Sequence, residues 1–308
     1  MIRTVDLNKK YGKFHAVKDL NLYIEEGTVF GFVGPNGAGK STTMSVLATL
    51  LEPTSGQAYV GGYDVVVHPH KVRQLIGYMP DFFGVYDNLT ATEYLDFYAG
   101  AYNIPESQRT ALIADLLELV NLSMKADSYV DTLSRGMKQR LGLARCLVHD
   151  PQVLILDEPA SGLDPRARIE MKEILKELKA MGKTIIISSH ILPELAEMCD
   201  TIGIIEHGQL IAQAPVEQIA AQVAGHRVLR IRLLDRVEEA HSLVQSLDQV
   251  MQVQVEKKAL LVQFSGDDDA QAALLTQLVE NGFPVLSFQQ EAGSLEDVFL
   301  TVTKGVGS

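Results

Sequence analysis

One stretch limits what this chain can be: Gly34-Pro35-Asn36-Gly37-Ala38-Gly39-Lys40-Ser41-Thr42. An apolar run, Val29 to Val33, precedes it, and a helix is predicted over residues 42–51. The order is strand, glycine-rich loop, helix. Glycines let the backbone curl so that several N–H groups point at one spot, and the helix N-terminus adds its positive dipole end there. Such a cradle suits a phosphate chain. Lys40 reaches the terminal phosphates as a point charge, and the Ser41 hydroxyl is offered to Mg²⁺.

The totals narrow the classes further. With 308 residues the chain is long enough for one large or two ordinary domains, and 46% apolar residues support a real core. The net charge of −12 argues against a nucleic-acid partner, which needs basic patches. Cys146 and Cys199 lie far apart without metal-type spacing, so both are expected as buried, reduced thiols. No apolar stretch reaches the roughly 20 residues of a spanning helix. The first 20 residues carry Asp6, Lys9, Lys10 and Lys18 and no long apolar run. The expectation is a cytoplasmic protein that serves a membrane, if at all, through a partner.

Along the chain, strands are predicted at Ile2–Leu7 and Leu20–Ile24, with Tyr11 between them as an aromatic that can return to stack on a nucleobase. Strands follow at 57–60 and 76–79, the second leading to Asp81. Residues 88–148 read as helical. Thr90-Ala91-Thr92-Glu93 fits a capping box ahead of apolar Tyr94, Phe97, Tyr98 and Ala101. Ser134 is placed as the N-cap of a third helix. Val153 to Leu156 reads as a central parallel strand and ends in Asp157-Glu158. Two adjacent carboxylates there are costly to bury without a cation or proton. Asp157 is therefore expected to hold Mg²⁺ and Glu158 to act as general base. The loop Ser161 to Asp164 leads into a helix over residues 166–181, with an apolar face of Met171, Ile174, Leu175, Leu178 and Met181. A further central strand, 184–188, ends at Ser189-His190. In an open parallel sheet these strand ends meet at one edge, where ligands bind. A helix over 215–223 closes this unit.

The tail carries no constellation for chemistry. Its order, βαββαβ, is the split pattern of ferredoxin-like units, with Leu229, Ile231 and Leu233 on one strand face. A final capped helix from Ser294 presents Leu295, Val298, Phe299 and Val302 on one stripe. The expected domains are 1–224, with a helical subdomain at about 88–148, and 225–308. The tail is read as a docking, dimerising or regulatory module.

Taken together, the phosphate loop, Leu133-Ser134-Arg135-Gly136-Met137, the strand into Glu158, Ser161-Gly162-Leu163-Asp164 and His190 stand in the order and spacing of ABC transporter ATP-binding subunits, which residues 1–220 resemble. The tail, with Ser294 to Leu300, resembles the C-terminal extension of the drug-resistance type of ABC export ATPase. The resemblance implies an α/β fold of the P-loop ABC type: a mostly parallel core sheet, antiparallel strands, a helical subdomain and a small α+β C-terminal domain. It implies an ATPase with ATP and Mg²⁺, a separately encoded transmembrane permease, and a second ATPase subunit, most simply a second copy. The protein would then sit peripherally on the inner face of the membrane.

The same resemblance assigns roles. Tyr11 stacks on adenine, and Gly34 to Thr42 wrap the phosphates. Ser41, Asp81 and Asp157 hold Mg²⁺, Asp157 through water. Glu158 polarises the attacking water, and His190 senses the γ-phosphate. In a head-to-tail dimer, Ser134, Arg135 and Gly136 approach the other subunit's γ-phosphate, and Asp164 lies at the interface. Two residues depart from the family pattern. Asp81 stands where Gln is usual and is expected to sharpen the Mg²⁺ dependence. Arg135-Gly136-Met137 replaces Gly-Gly-Gln, with Arg135 either adding charge toward the partner's phosphate or pointing to solvent. The apolar patch Phe82, Phe83, Val85 and Tyr86 suits either a permease contact or packing in the helical subdomain. Competing readings are a non-transport ABC ATPase, a small-molecule kinase, and a regulator that binds ATP without turnover. The kinase leaves Ser134, Glu158, Asp164 and His190 unexplained as a set.

Overall fold

The computed structural model describes residues 1–82, 84, 88–218 and 227–291. The chain divides into two compact units, Met1–Pro215 and Val216–Ser308. The last strand of the first unit stays paired through Pro215, and the sequence places the boundary after residue 224. Of the predicted helix over 215–223, residues 219–223 lie outside the described residues. So do Phe83, Val85, Tyr86 and the segment Ser294 to Val302.

The first unit opens with a long hairpin, β1 (Ile2–Tyr11) and β2 (Phe14–Ile24), extending well beyond the predicted strand ends. Its lysine-rich middle still pairs, because a strand with one solvated face accepts polar residues there. With β4 (Ser55–Val60) and β5 (Tyr63–Asp64) the hairpin makes an antiparallel sheet ordered β2-β1-β4-β5.

The second sheet positions the chemistry. β3 (Val29–Val33), β6 (Ile76–Met79), β7 (Val153–Leu156), β8 (Thr184–Ser189) and β9 (Thr201–Glu206) run parallel. The order is β10-β9-β3-β8-β7-β6, with β10 (Gln209–Pro215) added antiparallel at the edge. β3, β7 and β8 are buried along their whole length, which explains their continuous apolar runs. Their C-terminal ends share one edge of the sheet.

Between β3 and β4 lies α1 (Lys40–Leu47), shorter than predicted and starting at the lysine itself. Leu20, Leu22 and Ile24 of β2 pack with Phe30, Phe32, Met44 and Leu47 in one core. Each such burial contributes roughly 1.5–3 kcal/mol. α2 (Pro69–Leu75) precedes β6.

The helical subdomain holds α3 (Ala91–Ala101), α4 (Glu106–Leu119) and α5 (Arg135–Leu147). The Thr90 capping box is formed at both ends: Glu93 N donates to Thr90 Oγ1 and Thr90 N to Glu93 Oε2. The buried stripe of α3 is Ala91, Tyr94, Leu95 and Ala99, while Phe97 is exposed and Ala101 faces solvent. The predicted stripe was rotated because aromatic residues outweigh alanine in an apolar pattern, whereas close helix packing selects the small side chain. α6 (Pro165–Ala180) buries Met171, Ile174, Leu175 and Leu178, but Met181 is 59% exposed as the residue capping the helix end. α7 (Leu192–Ala196) follows β8.

The second unit orders β11 (Arg227–Leu233), α8 (Val237–Gln245), β12 (Val250–Glu256), β13 (Ala259–Phe264), α9 (Asp268–Glu280) and β14 (Val285–Glu291). Its antiparallel sheet runs β12-β13-β11-β14, the ferredoxin-like order. Leu229, Ile231, Leu233, Leu260 and Phe264 form its core with Leu274 and Leu278 of α9.

Candidate active site

The phosphate loop leaves β3 at Val33 and enters α1 at Lys40. Gly39 caps the helix at φ +108°, and a methyl carbon there would meet the Ala16 carbonyl at 2.5 Å, so only glycine fits. No side chain caps this helix, and its first N–H groups remain for a ligand. The Lys40 side chain is buried, and its Nζ donates to Gly34 O at 2.6 Å and Pro35 O at 3.3 Å. Gly34 and Pro35 thus hold the lysine and do not line the cleft.

That cleft has a volume of about 320 Å³ and is lined along the loop by Asn36, Gly37, Ala38, Gly39, Lys40, Ser41 and Thr42. The opposite wall brings Asp81 from beyond β6, Glu158 and Ser161 from beyond β7, and His190 from beyond β8. The parallel strands therefore deliver these predicted residues to one place.

Glu158 is the best-braced group of the site. Its backbone is left-handed at φ +52°, a conformation costing a non-glycine residue on the order of 1 kcal/mol. Its N–H donates to Ser188 Oγ at 2.8 Å, and Ser188 in turn donates to the buried Asp157 carboxylate at 2.5 Å. The Glu158 carboxylate lies 3.0 and 3.2 Å from His190 Nδ1 and 3.9 Å from Lys40 Nζ. Burial pushes the Glu158 carboxyl above the usual carboxylate range; His190 and Lys40 pull it back, and Asp157 pushes it further up. Burial pushes the Lys40 ammonium down, opposed by Glu158 and Asp157. A carboxyl raised in this way, beside a lysine, is what general-base chemistry requires.

Three further residues singled out in the sequence are placed as follows. Tyr11 does not line the cleft. Phe14 and Ala16, across the hairpin turn, do. Tyr11 pairs with Phe14 in the ladder, and Lys9 Nζ sits 5.3 Å from its ring. Tyr11 and Phe14 stand opposite each other across the turn at Gly12 (φ +58°), and Phe14 lines the cleft. Asp157 lies beneath the cleft wall, bound to Ser188. Among the described residues no cluster of three His, Cys, Asp or Glu side chains is placed to hold a metal. Arg135 is exposed yet not free in solvent: its guanidinium occupies the space above Gly162.

Ser134 and Asp164 are the N-caps of α5 and α6, accepting from Met137 N at 3.3 Å and Ala167 N at 2.8 Å. Gly136 is buried behind them. None of these lines the cleft. Sequence reasoning missed Phe14, Ala16, Ser161 and Ser188. Ser188 carried a signal, since it is a hydroxyl at the end of an otherwise apolar strand.

A glycine-rich loop between a central parallel strand and a helix, with Asp157-Glu158 ending a neighbouring strand, defines an ATPase of the P-loop class. The chain belongs to the ABC transporter ATP-binding proteins. The ABC transporter family matches residues 17–161, and the family of the ATP-binding protein DrrA1-3-like, C-terminal domain, matches residues 215–303. The chain is 33% identical over 305 residues to the linearmycin resistance ATP-binding protein LnrL of Bacillus subtilis, covering 98% of each. It is 36% identical to the bacitracin transport ATP-binding protein BcrA of Bacillus licheniformis, covering 99% of this chain and 98% of that one. Among solved structures, a dimeric ATP-binding cassette, MJ0796, bound to ADP and Pi superposes with a TM-score of 0.64 at 26% identity, over 70% of this chain and 99% of that one.

As a member of this family the chain is an ATP-hydrolysing subunit of the export and resistance type. No helix among its described residues is long and apolar enough to cross a membrane.

Proposed function

We propose that this chain hydrolyses ATP in a head-to-tail dimer of two copies and thereby drives a separately encoded membrane permease of the export type. The relatives named above are a resistance and a transport ATP-binding protein, which motivates the export reading. The observation that carries the catalytic part is the Glu158 carboxylate, set on a strained turn between Lys40 and His190 at the cleft.

In this reading the γ-phosphate lies between Lys40 and the N–H groups of the loop and α1. Glu158 accepts a proton from the attacking water as the water–phosphorus bond forms and the bond to the ADP oxygen breaks. Lys40 offsets the charge on the transferring phosphoryl group. His190 lines the cleft and holds the Glu158 carboxylate through Nδ1. Ser134 and Gly136, outside the cleft of their own subunit, complete the partner's site.

Ser41, Asp81 and Asp157 offer hard oxygens, which would hold Mg²⁺ together with the nucleotide. Two lining donors with Asp157 beneath them fit an ion held mainly by its nucleotide. When bound, Mg²⁺ neutralises phosphate charge. Phe14, with Tyr11 behind it, takes the base.

The test is Glu158→Gln, tagged and recovered from solubilised membranes with ATP and Mg²⁺. Turnover should fall by about 10²–10⁴ while nucleotide binding persists. A polytopic membrane protein should accompany the trapped dimer. Recovery with soluble factors alone would remove the transport role.

A further inference from the structure

We infer that Arg135 is a positioning residue: its guanidinium clamps the loop Ser161–Asp164 to the N-terminus of α5, so that the surface offered to a partner's nucleotide is preformed as one piece. The inference rests on the dimer reading above and extends it.

The first observation is steric. A methyl carbon placed on Gly162 would stand 2.6 Å from the guanidinium carbon of Arg135 and 2.7 and 2.9 Å from its terminal nitrogens. Gly162 has φ +66°, so the loop turns its bare α-carbon toward the arginine. A side chain at 162 would be strained and would evict the guanidinium at once.

The second observation is the packing behind it. A methyl carbon on Gly136 would meet Ala167 Cβ at 2.8 Å and Leu163 Cδ2 at 3.8 Å. The start of α5 therefore touches the start of α6 backbone to side chain, with Leu163 buried at the seam. Ser134 and Asp164 cap the two helices on either side of this contact. Arg135 closes the exposed side of the same corner.

The third observation concerns charge. No carboxylate among the described residues forms an ion pair with Arg135, and the first turn of α5 has no acidic residue. An arginine at the positive end of a helix is electrostatically misplaced there. Its retention at this corner is explained by what its plane covers.

The loop it covers also begins at the catalytic glutamate. Ser161 N donates to Glu158 O at 3.0 Å and Leu163 N to Ala160 O at 3.3 Å. Through these bonds the clamp fixes the spacing between Glu158 of one site and Ser134, which serves the other.

The experiment uses the full chain and reads two quantities. Amide exchange at residues 161–164 is measured by mass spectrometry without nucleotide. Dimerisation on ATP and Mg²⁺ is measured by sedimentation in the Glu158→Gln background. Arg135→Ala should speed exchange at the Ser161 and Leu163 amides about tenfold and raise the dimerisation midpoint about tenfold. Binding of a fluorescent ATP analogue by the single subunit should stay within twofold. Gly162→Ala should reproduce both effects, and the double variant should be no worse than the worse single one, because both substitutions break one contact.

Unchanged exchange in Arg135→Ala would overturn the clamp. So would an Arg135→Lys protein that dimerises normally while its loop exchanges as fast as in Arg135→Ala, since charge alone would then carry the role. If Glu158→Gln with its native Arg135 fails to dimerise, the dimer reading falls, and the exchange measurement still decides the clamp.

Discussion

The two units of this chain spend their interiors differently. All the buried polar or charged side chains among the described residues, including Lys40, Arg140, Asp157, Thr184 and Ser188, lie in the first unit. The second unit buries Leu229, Ile231, Leu260, Val262 and Phe264 with no such inclusion. Polar groups taken out of water are costly unless they find partners, and at the strand ends Ser188 serves Asp157 and Glu158 at once. In the first unit these groups include Lys40, which lines the cleft, and Ser188, which holds the Glu158 backbone beside it.

The contrast is open to attack, and the largest effect is in the second unit. Leu260→Ala removes a fully buried side chain of β13 and should cost about 2–5 kcal/mol in chemical denaturation. Nucleotide affinity should remain within twofold. A tenfold loss would show that the units are one energetic body.

A smaller effect sharpens the picture of the cleft. Phe14→Ala should weaken ATP binding about tenfold, in line with roughly 1–3 kcal/mol per stacked base, while inorganic tripolyphosphate binds as before. Tyr11→Ala should weaken ATP binding less. The reverse order would return the base to Tyr11.

The smallest effect is in the pH profile. Because burial raises Glu158, the acid limb of kcat/KM should lie above the ordinary carboxylate range, with activity rising as the carboxyl ionises. His190 pulls this carboxyl down, so His190→Ala should move the limb to higher pH, read at an ATP concentration far below KM. A limb that moves down would remove the Glu158–His190 contact from the account.

How much of this was legible depended on what each residue answers to. The phosphate loop, Asp157-Glu158 and His190 were readable because parallel strands deliver their ends to one edge, and topology follows from apolar runs. The ferredoxin-like order of the tail was readable from the succession of its apolar strand and helix patterns. Met181 was misread because the apolar periodicity runs on into the residue that caps the helix, whose side chain is exposed. Phe14 was overlooked because it lies across the turn from Tyr11, and only the folded hairpin brings it to the cleft. Arg135 offered two destinations from the sequence, and the actual one, Gly162, is set by a contact between residues that no local pattern joins.

The left-handed turn at Glu158 has a consequence for selection. Glycine would adopt φ +52° without strain, and it would also remove a carboxyl whose ionisation the fold disfavours. A carboxyl raised in the folded state contributes stability below its unfolded pKa and loses that contribution as pH rises through the folded value. At neutral pH both effects therefore favour replacement. Glycine at 158 would relax the turn and at the same time remove the carboxyl that faces His190 and Lys40.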